Sequence, residues 1–170
     1  MLLINAGGDT TRNLVAGGML ALIEHPEQWA RLRAEPGLLP SAIEEMLRWV
    51  TPVVHFRRTA TRDTVLRDRR IAAGDKVVIF YSSANRDEDM FADADRFDVA
   101  RTPNEHLAFG GGGAHFCLGA NLARLETRAL FQQVLTRLPD LRLAGPVERL
   151  RSIFINGPRH MPVAFTPTRG

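Results

Sequence analysis

Phe109-Gly110-Gly111-Gly112-Gly113-Ala114-His115-Phe116-Cys117-Leu118-Gly119 sets the only cysteine of the chain directly ahead of its clearest helical pattern. Four consecutive glycines let the backbone approach something flat or bulky, and free amides near a helix N-terminus stabilise a thiolate. A nucleotide loop is the rival reading of so many glycines. It fails because a GxGxxG counted from Gly110 ends on His115, and no GK[ST] tail follows. A small buried hydrophobe after a flexible loop is the bland alternative for Cys117.

Downstream, Leu118 to Leu138 reads as an amphipathic helix with Leu118, Leu122, Leu125, Leu130, Val134 and Leu138 on one side, closed by Pro139. The tail through Phe165 reads as short strands around an Asn156-Gly157-Pro158 turn. Upstream, residues 84–116 carry no sustained period, and an irregular segment of that length serves a site or holds structure the pattern misses. Before it, Phe56–Ala60, Val65-Leu66, Ile71 and Val77–Phe80 read as a small antiparallel sheet with a turn at Gly74-Asp75. Three helices come first: residues 1–24, Pro26–Ala34, and one from Pro40-Ser41 to Thr51-Pro52 with Ile43, Met46, Leu47 and Val50 on one face. The expected fold class is therefore mainly α with small antiparallel β-sheets.

Met1 opens onto Leu2, Leu3 and Ile4 with no capping residue, so the chain reads as starting inside a helix. The expectation is a single incomplete domain over residues 1–170. Its 170 residues, 45% hydrophobic and 24% charged, exclude a disordered tail. No 18-residue apolar run and no charged leader occur, so neither a membrane span nor a secretory signal is written here, and a cytoplasmic location is expected. One cysteine excludes an internal disulfide and any multi-cysteine metal cluster. All of the 22 basic residues but Lys76 are Arg, permanently charged forks suited to carboxylates. They are dispersed against 19 acids with no basic tract, which argues against nucleic acid.

Gly113, His115, Cys117 and Gly119, with Phe109 at the start of the loop and Ala123-Arg124-Leu125-Glu126 in the helix after it, resemble the cysteine segment of the cytochrome P-450 superfamily of haem-thiolate monooxygenases. Phe109 stands one residue further from Cys117 than in the common pattern. The extra glycine is similar to that of actinobacterial enzymes oxidising sterols and methyl-branched lipids. The resemblance implies the C-terminal part of that fold, truncated within its long central helix. It also implies haem b (iron protoporphyrin IX), with Cys117 as the axial iron ligand and Phe109, Gly113 and Gly119 around the cofactor. Cysteine ligation pushes electron density to the iron and favours O–O cleavage, the general property of this family. His115 is implied as a contact of a haem propionate.

Two further motifs strengthen the resemblance. Ala6-Gly7-Gly8-Asp9-Thr10-Thr11 removes side chains from one patch of helix and follows it with a carboxylate and a hydroxyl. It looks like the family's oxygen-binding groove, with Ala6 and Gly7 against the cofactor, Thr10 holding the bound oxygen species and Asp9 supplying protons from solvent. By itself this motif reads rather as an ordinary small-residue helix crossing with a solvated Asp. Glu45-Met46-Leu47-Arg48 by itself reads as a surface i, i+3 pair. The resemblance makes it the buried ExxR pair that locks the segment before the cysteine loop. Arg96 of Asp93-Ala94-Asp95-Arg96-Phe97-Asp98 is the expected third member, with Arg101 second.

Arg57, after Pro52-Val53-Val54-His55-Phe56, stands at the spacing where related bacterial enzymes place an Arg on a haem propionate. For His55 an assisting contact and a satisfied structural role are equally open. Val53, Val54, Phe154 and Ile155 fall where the family lines its substrate pocket, and plain core packing is the equal alternative. The partners implied are dioxygen, a ferredoxin or flavoprotein electron donor and a lipophilic substrate such as a sterol or branched lipid. A reading of a different class stands beside this one: a non-catalytic remnant that does not retain haem.

Overall fold

The computed structural model describes residues 2–166, with side chains from Ala6 onward, so the Leu2, Leu3 and Ile4 side chains lie outside the described residues. Helix α1 spans Leu2–Glu24 and α2 Pro26–Ala34, with Pro26 in the first turn, where its missing N–H is not needed. Helix α3, Leu39–Val50, ends at Thr51, which takes a left-handed φ of 44°. Gly17 and Gly18 let α1 lie directly on α3. A Cβ on Gly17 would come within 2.7 Å of Val50 Cγ1, and one on Gly18 within 2.8 Å of Met46 Sδ. Leu14, Leu22, Leu32, Met46, Leu47, Phe97 and Phe131 fill the core that these helices enclose.

The strands between α3 and the irregular segment form two ladders where one sheet was expected. β1 (His55–Thr59) pairs antiparallel with β4 (Lys76–Phe80), His55 opposite Phe80. β2 (Thr64–Leu66) and β3 (Arg69–Ile71) form a separate exposed hairpin. The first ladder closes where the Ala60 N–H donates to the Asp75 carbonyl and the Gly74 N–H to that of Ala60. Asp63 ends the second by accepting from the Ala73 N–H at 2.9 Å. Beyond the short helix α4 (Tyr81–Ala84), no helix or strand occurs among residues 85–119.

Helix α5, Ala120–Arg137, appears where the leucine pattern predicts it, but the leucines do not face the core. Leu118, Leu122, Leu125 and Leu130 are exposed, whereas Ala120, Thr127 and Phe131 are buried, with Val134 packed beside them. At about 100° per residue, Leu122 and Leu125 share one side of the helix and Thr127, Phe131 and Val134 the opposite side. The single stripe expected from the sequence is thus two stripes. The tail folds on itself as nested pairs, β5 (Arg142–Leu143) with β8 (Val163–Ala164) and β6 (Glu148–Arg149) with β7 (Pro158–His160). Its bend is made by Ser152, whose Oγ accepts the N–H groups of Phe154 and Ile155, ahead of the expected turn.

Candidate functional site

The site is framed by a pair of charges on α3. Glu45 and Arg48 are fully buried and doubly bonded, Arg48 Nε donating to Glu45 Oε2 and Nη2 to Oε1, each at 2.8 Å. Nη1 also donates to the carbonyls of Asn85 (2.7 Å) and Ala94 (2.8 Å), and Nη2 to that of Arg96 (3.1 Å). All the guanidinium's donors are thereby used, which is what a buried charge requires. Glu45 in turn accepts from the Asp98 N–H at 3.0 Å and Asn104 Nδ2 at 3.1 Å. Residues 85–104 are irregular yet fixed, because side chains of α3 take the place of a backbone ladder.

The third charged member is Arg101, and this corrects the expectation of Arg96. Arg101 Nε lies 3.1 Å from Glu45 Oε2, and its Nη atoms donate to the carbonyls of Ala92, Asp93 and Arg96. Arg96 contributes only its backbone carbonyl; its side chain is exposed. The turn that brings the Asp98 N–H onto Glu45 turns the Arg96 side chain outward. Arg101, after the next turn, is returned to the carboxylate.

From this base the chain runs to the cysteine loop. Gly110, Gly112 and Gly113 have φ values of 91°, 95° and 76°, so the loop takes a path closed to other residues. The Cys117 N–H donates to the Phe109 carbonyl at 3.1 Å, which joins the two ends of the loop. Cys117 is a free and exposed thiol, three residues before α5 begins. Phe116 and Leu118 flank it, 47% and 90% exposed, and His115 is exposed as well. Gly119 lies against the sulfur, its Cβ position 4.0 Å from Sγ.

One side of the loop meets Tyr81, whose hydroxyl lies 3.7 Å from the Cβ position of Gly110. The Tyr81 N–H donates to the Val54 carbonyl at 2.8 Å, which leads to β1. His55 and Arg57 share one face of that strand by its two-residue period. Arg57 is exposed, and His55, between the rings of Phe80 and Phe154, has a buried Nδ1 with no hydrogen-bond partner. The four expected pocket residues come together here: Val53 bridges Ile155, and the Val54 N–H donates to the Phe154 carbonyl at 2.9 Å. Two residues on, the Gly157 backbone lies against the buried Asn13 side chain of α1.

Asn13 is one turn beyond Asp9 and Thr10. Thr10 Oγ1 donates to the Ala6 carbonyl at 2.5 Å, bending the hydroxyl back along its own helix, and Asp9 pairs with Arg12 at 3.3 Å on an exposed face. Among the described residues, the Cβ positions of Gly7 and Gly8 meet nothing within 4 Å.

These residues fit a haem. Among the described residues no three His, Cys, Asp or Glu side chains gather to hold a metal, so a metal on Cys117 needs its other donors from a bound group, as a porphyrin provides. An orphaned imidazole nitrogen, the exposed guanidinium of Arg57 and the exposed imidazole of His115 suit its carboxylates. The open glycine path and the exposed apolar Phe116 and Leu118 suit its flat face.

Sequence reasoning missed a second ionic cluster behind the loop. Glu44 of α3 receives Arg124 of α5 bidentately, Nε at 2.6 Å and Nη2 at 2.7 Å, and His106 Nε2 donates to it at 3.0 Å. His106 Nδ1 accepts the Ala108 N–H at 3.2 Å, which places the ring proton on Nε2. Burial opposes ionisation of Glu44, but the hydrogen bonds from Arg124 and His106 and the charge of Arg124 prevail and bring its pKa down to about 2. A carboxylate next to Glu45 on an otherwise apolar helix was the available signal. Asn85 was also missed: its Oδ1 accepts the Leu107 N–H at 2.7 Å and its Nδ2 reaches Thr51 Oγ1 at 2.9 Å.

Comparison with known proteins agrees with this geometry. A family profile described as Cytochrome P450 matches residues 1–139. The chain is 52% identical to a methyl-branched lipid omega-hydroxylase of Mycobacterium tuberculosis over 98% of its own length and 39% of that protein's. It is also 52% identical to a steroid C26-monooxygenase of Mycolicibacterium smegmatis, over 98% of this chain and 42% of that one. A Mycobacterium marinum cytochrome P450 solved in complex with pseudoionone superposes with a TM-score of 0.93 at 48% identity, covering 96% of this chain and 40% of that one. The chain spans about two fifths of the length of the curated relatives it matches.

Proposed function

The chain belongs to the cytochrome P450 family, and on that premise we propose that it is the haem-ligating region of a monooxygenase that hydroxylates a lipophilic substrate. The observation that carries the reading is the cysteine loop: an exposed thiol on a left-handed glycine path, tied to Phe109 and standing before a long helix. A cysteine-ligated haem supplies the two-electron cleavage of dioxygen, one oxygen atom entering the substrate and the other leaving as water.

The roles of this chain's residues follow from their placement. Cys117 offers sulfur as the ligand, and Arg57, His115 and His55 offer donors to the propionates. Asp9, paired with Arg12 at the surface, takes protons from solvent. Thr10, released from the Ala6 carbonyl, passes them inward. Val53, Val54, Phe154 and Ile155 line the substrate side. With no charge or hydroxyl among them, binding rests on apolar burial, at about 25 cal/mol per Å². A sterol or methyl-branched chain meets that need, which is in keeping with the named activities of the relatives. The electron donor is a ferredoxin or flavoprotein. No helix among the described residues is long and apolar enough to cross a membrane, and we place the protein in the cytoplasm.

The test is reconstitution of the chain with haem, reduction, and a carbon monoxide difference spectrum. A thiolate-type Soret band supports the reading. Failure to take up haem supports a non-catalytic remnant instead. Substrate class is tested on the haem-loaded protein by spin-state titration with cholest-4-en-3-one, a branched fatty acid and a polar macrolide. A shift with the macrolide alone contradicts the lipid assignment.

A further inference from the structure

We propose that Arg124, oriented by Glu44 and His106, is a positioning residue for Cys117: it braces the cysteine loop from behind. The inference rests on the reading of Cys117 as the haem ligand.

Glu44 and Glu45 are consecutive on α3, about 100° apart around the helix, and each carboxylate fixes a different stretch of chain. Glu45 holds residues 85–104, as described above. Glu44 reaches the other way, to Arg124 two helical turns after Cys117 and to His106 just before the glycine loop. The Arg124 guanidinium carbon stands 4.6 Å from the centre of the Phe109 ring, and His106 packs on that ring at 6.0 Å. Phe109 is the residue whose carbonyl accepts the Cys117 N–H. An unbroken chain of contacts thus runs from Glu44 through Arg124 and Phe109 to the cysteine.

The geometry also explains why an arginine stands there. A planar guanidinium can pair bidentately with a carboxylate while its face covers an aromatic ring, whereas an ammonium cannot do both. Hydrogen bonds with Glu44 and charge attraction to it hold the Arg124 guanidinium above its ordinary range against the opposing pull of burial. The His106 side chain is 4% exposed, so the cluster is built into the protein and is not a surface pairing.

The experiment compares the full chain with Arg124→Lys and Arg124→Met. One readout needs no haem: hydrogen exchange at the Cys117 amide. Arg124→Met is expected to speed that exchange about fivefold. Arg124→Lys loosens the loop only in part and keeps the test open if Arg124→Met loses its fold. With haem added, Arg124→Met loses part of the thiolate-type carbon monoxide band that wild type shows, and Arg124→Lys loses less. Wild-type rates throughout in Arg124→Met, or equal behaviour of the Lys and Met variants, overturn the proposal. Failure of the wild-type chain to take up haem overturns the function proposed above, and the haem-free readout still decides this one.

Discussion

Two irregular stretches of this chain, residues 85–104 and 110–119, differ in how their polar groups are satisfied. The first is anchored by Glu45, Arg48 and Arg101 to one another and to backbone groups from Asn85 to Asp98. The second has one bond across its neck, from Cys117 to Phe109, and leaves Gly111 to Gly119 exposed. Irregular backbone is rigid when side chains complete its hydrogen bonds, and it is available to a ligand when they do not. The first stretch supports; the second presents.

The largest expected effect lies in the supporting stretch. Arg48→Ala or Glu45→Ala leaves an uncompensated buried charge and lowers stability by about 3–5 kcal/mol, read as the urea midpoint followed by circular dichroism. A loss under about 1 kcal/mol would remove the distinction between the two stretches.

Next comes Glu44, whose pKa lies at about 2 against an ordinary 4.5. A carboxylate with a lowered folded-state pKa adds stability that is complete above about pH 4.5 and is lost as pH falls toward 2. Glu44→Gln should therefore cost about 2–3 kcal/mol at pH 7, with the gap to wild type closing between about pH 4.5 and 2. A gap that does not depend on pH contradicts the ionic account of the cluster.

A smaller pair of effects separates the two candidate arginines. Arg101→Ala loses bonds to Glu45 and three carbonyls and costs about 1–2 kcal/mol. Arg96→Ala, which removes only an exposed side chain, stays within about 0.5 kcal/mol. Equal losses would restore Arg96 to the network.

How much of this was legible in the sequence depends on the range of the forces involved. Helices α1 to α3 and the strand positions follow from local periodicity and from Pro26, Pro40 and Thr51-Pro52, and they stand where the pattern puts them. The Glu45–Arg48 pair was visible because both partners lie on one helical face. Arg101 stood only second to Arg96, and Glu44 and His106 were not visible, since their partners are brought together by long-range folding across 56 to 80 positions of chain. Periodicity also merged two stripes of α5, because Leu122 and Phe131 are equally apolar and only their neighbours decide which is buried. Cys117 and its glycines were legible because a positive-φ path admits few residues other than glycine.

The smallest expected effect on stability belongs to the presenting stretch. Cys117→Ser removes an exposed sulfur and should leave the urea midpoint within about 0.5 kcal/mol of wild type. A larger loss would mean that the thiol supports the fold and does not merely stand ready for a ligand.

The same variant gives the most direct measurement of the central claim, the carbon monoxide difference spectrum of the reduced, haem-loaded chain, wild type against Cys117→Ser, with reversion of the variant to cysteine as control. Wild type and revertant should show the thiolate-type band, and Cys117→Ser should lack it while remaining folded. A thiolate band that survives Cys117→Ser, or its absence from folded, haem-loaded wild type, would contradict the assignment of Cys117 as the ligand.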